Sequence, residues 1–497
     1  MTLKNILCAA LSATGFVALA GDPLGIPTYV ETVTAEFASG VTVACREFYG
    51  LGLAKNAQGE LEDRLILRGA NAGTWNLNAT SAALAVGATV SDVNSAWDFS
   101  TPVAQWIGAA NGAWGTAANW STGEVPGENT RVFIRAGDGE TKTVTASEPI
   151  FVHDLILQGE GTGIATFESK TNATHRISGD LAVNIGGKMT HTALPTTAKT
   201  FADECYKLNL QVNGNVTIAA DGTIDVTSRG FFGTVTLPGS VTANGSHGGT
   251  RAVGGCYDSL IAPTNCGSCV VDARGGTTYL GGGVVRIDAK GVIVVNGSIV
   301  SSADAGTGYG SGAGGSVWLT GADLQGDGMI SVQGGDDNYG SAGAGGRLAV
   351  WLTKATGFDS WDGDLIAKGG AWRLGNYGFG SAAPGTIYLQ AAGGNVKTAT
   401  VIVDNDKLDQ FRAVGYAEIC KRTGWKNVGK VVVQNKAYVK LVEDLRIRDL
   451  DMATADVKLN VGTNVLTITT IDHKNGKGWA DELDKLVVKE TDPDTGK

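Results

Sequence analysis

The stretch YGSGAGGSVWLT, residues 309–320, and its near copy YGSAGAGGRLAVWLT, residues 339–353, decide the fold. Each joins a dense run of glycine to a strand of alternating apolar residues. Related strands begin GGVVRID at 282, GGSVWLT at 314, GGRLAVWLT at 345 and PGTIYLQ at 384. A second set of strands follows Gly297, Gly328 and Gly363, which are 31 and 35 residues apart. A repeat of this period predicts a stacked β-solenoid.

The glycine content distinguishes an ordered repeat from a flexible linker. Of the 73 glycines, 41 lie between Gln211 and Gln390. Ordering a glycine costs roughly 0.5–1 kcal/mol more than ordering an alanine. Such a cost is tolerated where backbones approach closely or where φ is positive. The intervening strands supply apolar burial, since their aliphatic residues recur at period two on one side.

A dinucleotide loop is the tempting alternative for the first stretch. Gly310, Gly312 and Gly315 fit the pattern GxGxxG. That loop must open a helix, whose N-terminus then meets the phosphates. The residues after Gly315, SVWLTGADLQGDG, alternate as a strand and then turn. We therefore predict no nucleotide site and no cofactor.

The amino terminus has the features of an export signal. Lys4 precedes the apolar run ILCAALSATGFVALA, and Ala18-Leu19-Ala20 is a cleavage pattern that makes Gly21 the first mature residue. Loss of Lys4 changes the net charge from −10 to −11, which disfavours nucleic acid and anionic lipid as partners. No later run is long and apolar enough for a membrane helix. The prediction is a secreted or surface-exposed chain.

The remaining sequence divides into four parts. Residues 21–100 are a weakly patterned β-rich segment, and residues 101–140 form a tryptophan-rich module around Trp106, Trp114 and Trp120. Terminal units of a stacked array must be capped, so we predict that these tryptophans cap a core rather than bind sugar. Residues 141–395 are the glycine-rich solenoid. Residues 396–497 are further rungs and a polar tail.

Six cysteines follow the signal, at positions 45, 205, 256, 266, 269 and 420. An even number in an exported chain favours disulfides, with Cys256, Cys266 and Cys269 as the closest candidates. Two alternatives stay open: a zinc site completed by Cys205 or His247, and a redox pair at Cys266 and Cys269. Both are disfavoured, because zinc sites show two clear ligand pairs and a redox CxxC opens a helix. No metal is predicted.

The stretches GAWGTAANWSTGEVP, ISGDLAVNIGGKMT and LVEDLRIRDLDMATADVKLNVGTNVLTITT, with the glycine-rich repeats, resemble the passenger regions of exported bacterial surface proteins. The resemblance covers residues 105–470. It implies an all-β, right-handed parallel β-helix, similar to autotransporter passengers and pectin-lyase-like proteins. Passengers of this kind often precede a membrane β-barrel, whereas this sequence ends in the charged run ADELDKLVVKETDPDTGK.

Carbohydrate-active β-helices suggest a search for paired acids. Asp304 and Asp336 align within one residue, and Asp337 and Arg347 are near them in the repeat. On rungs about 4.8 Å apart, such carboxylates can approach the spacing of a retaining glycosidase. The competing interpretation, which we favour, is that these aspartates stabilise turns.

Aromatic residues give a binding hypothesis. Trp318, Trp351 and Tyr388 precede Leu319, Leu352 and Leu389, and we predict equivalent, outward positions for them. Such a row can stack sugar rings, or it can shield the sheet. The sequence thus predicts a structural or adhesive β-solenoid with a polysaccharide or cell-surface glycan as partner. The alternative is a polysaccharide lyase or glycoside hydrolase.

Overall fold

A computed structural model describes the following parts of the chain: residues 33–51, 53–55, 61–63, 65–86, 88–95, 101–193, 206–231, 236–237, 241–242, 244–251, 255–271, 278–303, 305, 310–338, 342–372, 381–408, 415–419, 427–454 and 456–471. The predicted signal peptide, 1–20, and Asp304 lie outside these residues. The chain divides into two compact units, Met1–Phe167 with Arg176–Lys188, and Glu168–His175 with Met189–Lys497.

The protein is all-β, and most of its strand pairs are parallel, as predicted. Two single turns of 3₁₀ helix, Ala70–Ala72 and Ala117–Asn119, are the helical elements of the described residues. None of the described residues forms a helix of the length and apolarity that crossing a membrane requires.

The first unit contains several small parallel groups and one antiparallel pair. The pair is Leu53–Lys55 with Leu61–Asp63. The parallel groups are Val33–Phe37, Leu65–Gly69 and Ala88–Val90; Thr42–Leu51, Trp75–Val86 and Val93–Ser95; Val103–Gln105, Arg131–Ala136, Asp154–Gly159 and Leu181–Val183; Asn111–Ala113 and Thr141–Ala146; and Phe151–Val152 with His175–Ile177. The strands Ile164–Ser169, His175–Ile177 and Gly187–His191 contain the divisions between the units.

The tryptophan module lies in the first unit, and its three tryptophans are buried, as the capping prediction requires. Trp106, Trp114 and Trp120 are at most 5% exposed. The ring of Trp120 meets Trp106 edge to face at 5.1 Å and Trp114 at 4.7 Å. The indole Nε1 of Trp120 donates to the Trp114 carbonyl at 2.8 Å. The three rings therefore form one packed cluster, and the capping role itself stays a prediction.

The second unit contains three parallel groups of strands, which we call the main stack. Its first sheet contains five strands, its second sheet three and its third sheet four. These are Leu208–Val212, Val284–Ala289, Ser316–Gly321, Arg347–Leu352 and Thr386–Gln390; Val216–Ile218, Ile293–Val295 and Leu324–Gln325; and Thr223–Asp225, Ser298–Val300, Met329–Ser331 and Asp364–Ile366. Two short antiparallel pairs accompany it, Thr236–Leu237 with Val241–Thr242 and Val270–Val271 with Thr278–Tyr279.

The register of the main stack follows the repeats of the sequence. Val285 pairs with Val317, which pairs with Leu348 and then with Ile387, and all four are at most 2% exposed. The anchor glycines also stack, because a Cβ on Gly363 would overlap the carbonyl oxygen of Gly328. The predicted alternation, with aliphatic side chains on one inward face, is confirmed.

The sheet reverses direction after Gln390, which the sequence did not indicate. Thr400–Asp404 pairs antiparallel with Thr386–Gln390. The strands that follow are parallel to Thr400–Asp404, and with a small three-stranded sheet they form what we call the C-terminal stack. Its strands are Thr400–Asp404, Asn427–Gln434, Leu445–Met452 and Leu466–Ile471, with Ala417–Ile419, Tyr438–Leu441 and Lys458–Asn460.

The reversal also exchanges the two faces of the sheet. Tyr388 pairs with Val401, and both belong to the core that includes Val431 and Leu450. The face that points away from the core of the main stack is therefore the core face of the C-terminal stack. This exchange determines what surrounds the predicted aromatic row.

Candidate functional site

The candidate site is the outward face of the first sheet of the main stack, opposite the aliphatic core. Strand register arranges its side chains in three columns. The columns are Val284, Ser316, Arg347 and Thr386; Asn209, Arg286, Trp318, Ala349 and Tyr388; and Gln211, Asp288, Thr320, Trp351 and Gln390. Every member of the third column is half-buried, as are Asn209, Arg286 and Trp318.

The predicted aromatic residues lie next to each other on this face. The ring centroids of Trp318 and Trp351 are 5.9 Å apart, and those of Trp351 and Tyr388 are 6.2 Å apart. The guanidinium of Arg286 lies 4.5 Å from the Trp318 ring, close enough for a cation–π contact. We call Trp318, Trp351 and Tyr388 the aromatic row.

Two details of the prediction were wrong. Trp351 is not equivalent to Trp318, because Trp318 pairs with Ala349 while Trp351 pairs with Thr320. The repeat at Arg347 is two residues longer before its tryptophan, so the rungs align at their glycines and not at their tryptophans. Tyr388 is also 0% exposed, where an exposed ring was expected. Its burial raises the pKa of its hydroxyl.

An eight-residue segment covers part of this face, and we call residues 258–265 the strap. Asp258, at positive φ (67°), organises it. The Asp258 carboxylate accepts from the backbone N–H groups of Ser259 at 2.7 Å, Thr264 at 2.9 Å and Asn265 at 2.8 Å. Burial opposes its ionisation, but the hydrogen bond and charge of His247, with these N–H groups, lower the pKa of Asp258 to about 2. The strap is thus built around a buried carboxylate.

His247 fastens the carboxylate to the main stack. Its ring is 0% exposed, with Nδ1 2.8 Å from the Gly314 carbonyl oxygen and Nε2 3.4 Å from Asp258 Oδ2. Both ring nitrogens therefore face oxygen atoms, so the ring links the strap to the Gly314 carbonyl.

The strap contacts the outward face through side chains of the sheet. Ser316 Oγ lies 2.6 Å from the Asn265 carbonyl oxygen and 3.2 Å from Asp258 Oδ2. Trp351 Nε1 donates to the Ile261 carbonyl at 2.8 Å. Beside the strap, Arg347 Nε donates to the Tyr257 carbonyl at 2.8 Å. No sequence signal connects these residues, because the partners are 51–90 positions apart.

Of the predicted acidic residues, the structure describes Asp336 and Asp337, and both interact with groups other than Arg347. Arg347 is 3% exposed, and its Nη1 donates to Thr386 Oγ1 at 3.0 Å on the strap side of the sheet. Asp336 Oδ1 accepts from the Ala371 N–H at 2.7 Å, a bond to backbone 35 residues away and not within its own turn. Asp337 is 1% exposed.

Asp337 instead interacts with a different arginine. Burial lowers the pKa of Arg251, and the charge of Asp337 opposes that shift. Arg251 is half-buried and Asp337 is buried, and opposite charges at such positions are typical of a structural ion pair. These acids are therefore part of the packing of the main stack.

Cys256, Cys266 and Cys269 flank the strap and are each at most 5% exposed. Cys205 and Cys420 lie outside the described residues, as does the side chain of Cys45. Disulfide formation by Cys256, Cys266 and Cys269 stays a prediction. The described residues contain no group of three or more histidine, cysteine or acidic side chains placed to hold a metal ion.

Comparison with known protein families, with curated proteins and with solved structures finds no match for this chain. We therefore infer the chemistry of the candidate site from its own side chains. Its half-buried part combines an indole, a guanidinium, a carboxylate and amides on one face of the sheet, which offers hydrogen-bond donors and acceptors beside an aromatic surface.

Proposed function

We propose that this chain is an exported, right-handed parallel β-helix with a structural or adhesive role, and that its outward face binds carbohydrate. Support for the fold comes from the unbroken parallel register of five strands in the first sheet, with parallel partners in two further sheets. Support for export comes from the apolar run and the A-x-A pattern at the amino terminus.

The half-buried set on the outward face is the observation that carries the binding proposal. Sugars present hydroxyl groups and apolar ring faces, and this surface offers complements to both. Asp288 and Gln211 can accept from hydroxyls, while Arg286 can donate to them. Trp318 supplies apolar surface in the middle of these groups. A row of such side chains along a sheet suits an extended polysaccharide better than a small molecule, which is usually bound in a concave pocket.

A carbohydrate-active enzyme receives less support. General acid–base chemistry on a sugar needs carboxyl groups that reach the glycosidic bond. Asp337 is buried beside Arg251, and Asp336 binds a backbone N–H group. We therefore favour binding over hydrolysis or elimination.

Glycan-array binding of the purified protein tests the proposal. Trp318→Ala removes the aromatic surface, whose contact with a sugar we expect to be worth up to about 1.4 kcal/mol, so affinity falls about tenfold. Trp361→Ala, beside the strand Asp364–Ile366 of the third sheet, is the matched control and leaves affinity unchanged. Absence of binding to any glycan by the wild-type protein contradicts the carbohydrate proposal. Equal losses in the two variants place the site elsewhere.

A further inference from the structure

The strap is attached to the rest of the chain by backbone hydrogen bonds at its two ends and by side chains between them. Backbone hydrogen bonds hold the chain on both sides of it: Tyr257 N–H donates to the His247 carbonyl at 3.1 Å, and Gly267 N–H donates to the Gly282 carbonyl at 2.8 Å. Between them, in the part of the chain that the structure describes, residues 258–265 make no backbone–backbone hydrogen bond to a strand. The strap is held to the sheet by side-chain contacts alone.

Its internal bonds would survive separation from the sheet. The Asp258 carboxylate binds the N–H groups of Ser259, Thr264 and Asn265 and the Asn265 side-chain amide at 2.9 Å. The N–H group of Ala262 donates to Ser259 Oγ at 3.1 Å. These contacts close the strap on itself, so it can move as a preformed loop.

The strap is only partly buried for a segment that covers a core. Six of its eight residues are half-buried, although the Asp258 side chain itself is 3% exposed, and Leu260 and Pro263 are buried. Segments with few buried apolar contacts open at lower free energy than the strands around them. The backbone hydrogen bonds of Tyr257 and Gly267 would keep the two ends of the strap in place while the strap moves.

The strap covers part of the aromatic row, so its opening would change which aromatic surface is accessible. Leu260 belongs to the same buried cluster as Tyr388 and Ala349, and Trp351 packs against that cluster. Separation of the strap frees the indole N–H of Trp351 and uncovers the side of the cluster against which Leu260 packs. The half-buried surface around Trp318 would then continue to Trp351.

We infer that the strap opens as a unit, independently of the sheet, and regulates access to the aromatic row. This inference rests on the proposed carbohydrate-binding function for its biological role, since it names a gate for that surface. The opening itself needs no ligand. Its test can therefore fail or succeed separately from the binding experiment.

Hydroxyl-radical footprinting of the ligand-free protein measures the opening, with Trp351, whose indole N–H the strap binds, as reporter and Leu319, in the core of the main stack, as internal reference. Ser316→Ala removes one attachment of the strap and leaves the aromatic row intact. Modification of Trp351 should rise about threefold, while modification of Leu319 and the urea midpoint stay unchanged. Thr320→Ala is the matched control, because Thr320 lies on the same strand and face and has no hydrogen bond to the strap among the described residues.

A second variant keeps the test decisive if Ser316→Ala fails to fold. Leu260→Ala removes an apolar anchor of the strap but leaves the Asp258 network, and it should raise Trp351 modification at least as much as Ser316→Ala. The inference is overturned if Trp351 modification stays at the wild-type level in both variants. It is equally overturned if the two reporters become modified only together, because the strap then opens only when the whole unit unfolds.

Discussion

At the scale of single residues, the buried histidines make stability depend on pH. His191 is 0% exposed, with Nδ1 3.0 Å from the Thr192 carbonyl oxygen, while Nε2 accepts from the Val284 N–H at 3.0 Å. This arrangement requires a neutral ring, since one nitrogen donates and the other accepts. Burial lowers the pKa of His191 to about 4, and the charges of Arg229 and Lys207 add to that effect. Burial also lowers the pKa of His175 to about 4.

We therefore predict that the protein loses stability in mild acid. The unfolded chain takes up a proton on each histidine near pH 6.5, whereas the folded chain does so only near pH 4. Stability is complete above the unfolded pKa and falls as the pH decreases from about 6.5 to about 4. The loss is on the order of 3 kcal/mol for each histidine.

Urea unfolding at pH 7 and at pH 4.5 measures this loss. His191→Asn should be less stable at pH 7 but should show a smaller difference between the two pH values. His153→Gln, at a histidine whose side chain is 37% exposed, serves as control and should keep the wild-type difference. An unchanged pH difference in His191→Asn would show that His191 does not carry the effect.

At the scale of the strands, glycines determine how closely the rungs approach. A Cβ on Gly346 would overlap the carbonyl oxygen of Gly315, and a Cβ on Gly385 would overlap that of Gly346. These glycines precede successive strands of the first sheet and lie in one column. Of the described glycines between residues 211 and 390, only Gly245 and Gly326 have positive φ. Close approach, and not unusual backbone dihedrals, is thus the main reason for the glycine content.

Gly346→Ala should consequently be severely destabilising. The added methyl group would overlap backbone atoms of the neighbouring rung. Backbone cannot rotate away as a side chain can. We expect a loss of at least about 3 kcal/mol in the free energy of unfolding. Gly127→Ala is the matched control, because nothing lies within 4 Å of its Cβ position and its φ is not positive. Similar unfolding midpoints for the two variants would contradict the close-approach explanation.

The strand pattern was predictable because local sequence determines it. Alternation placed Val317 and Leu319 on the inward face, and the glycine before each strand gave the rung alignment. The position of Trp351 was not predictable in the same way. A two-residue difference between repeats can be absorbed at either end of a strand, and the choice depends on which end packs more tightly. Here the glycines of successive rungs align, since a shift in register would place a side chain against the backbone of the neighbouring rung.

At the scale of the whole molecule, the sequence did not indicate the features that arise from distant contacts. The reversal after Gln390 exchanges the faces of the sheet, which is why Tyr388 is buried although its position alternates with core residues. The strap was missed for a related reason. Arg347 and Tyr257 carry no shared motif, and only the folded chain brings the arginine to that carbonyl.

The fold described above depends on one feature of the main stack: its successive strands lie on one another in parallel register. Gln211, Asp288, Thr320, Trp351 and Gln390 form one column of four strand-to-strand steps. With about 4.8 Å for each step, the α-carbons of Gln211 and Gln390 are about 19 Å apart.

Pulsed electron paramagnetic resonance between spin labels on genetically encoded amino acids at positions 211 and 390 measures that separation directly. If the strands are stacked in this register, we expect a single narrow distribution of label-to-label distances near 20 Å, allowing for the label arms. A distribution beyond about 40 Å, as expected for separate lobes or an unfolded intervening chain, would contradict it.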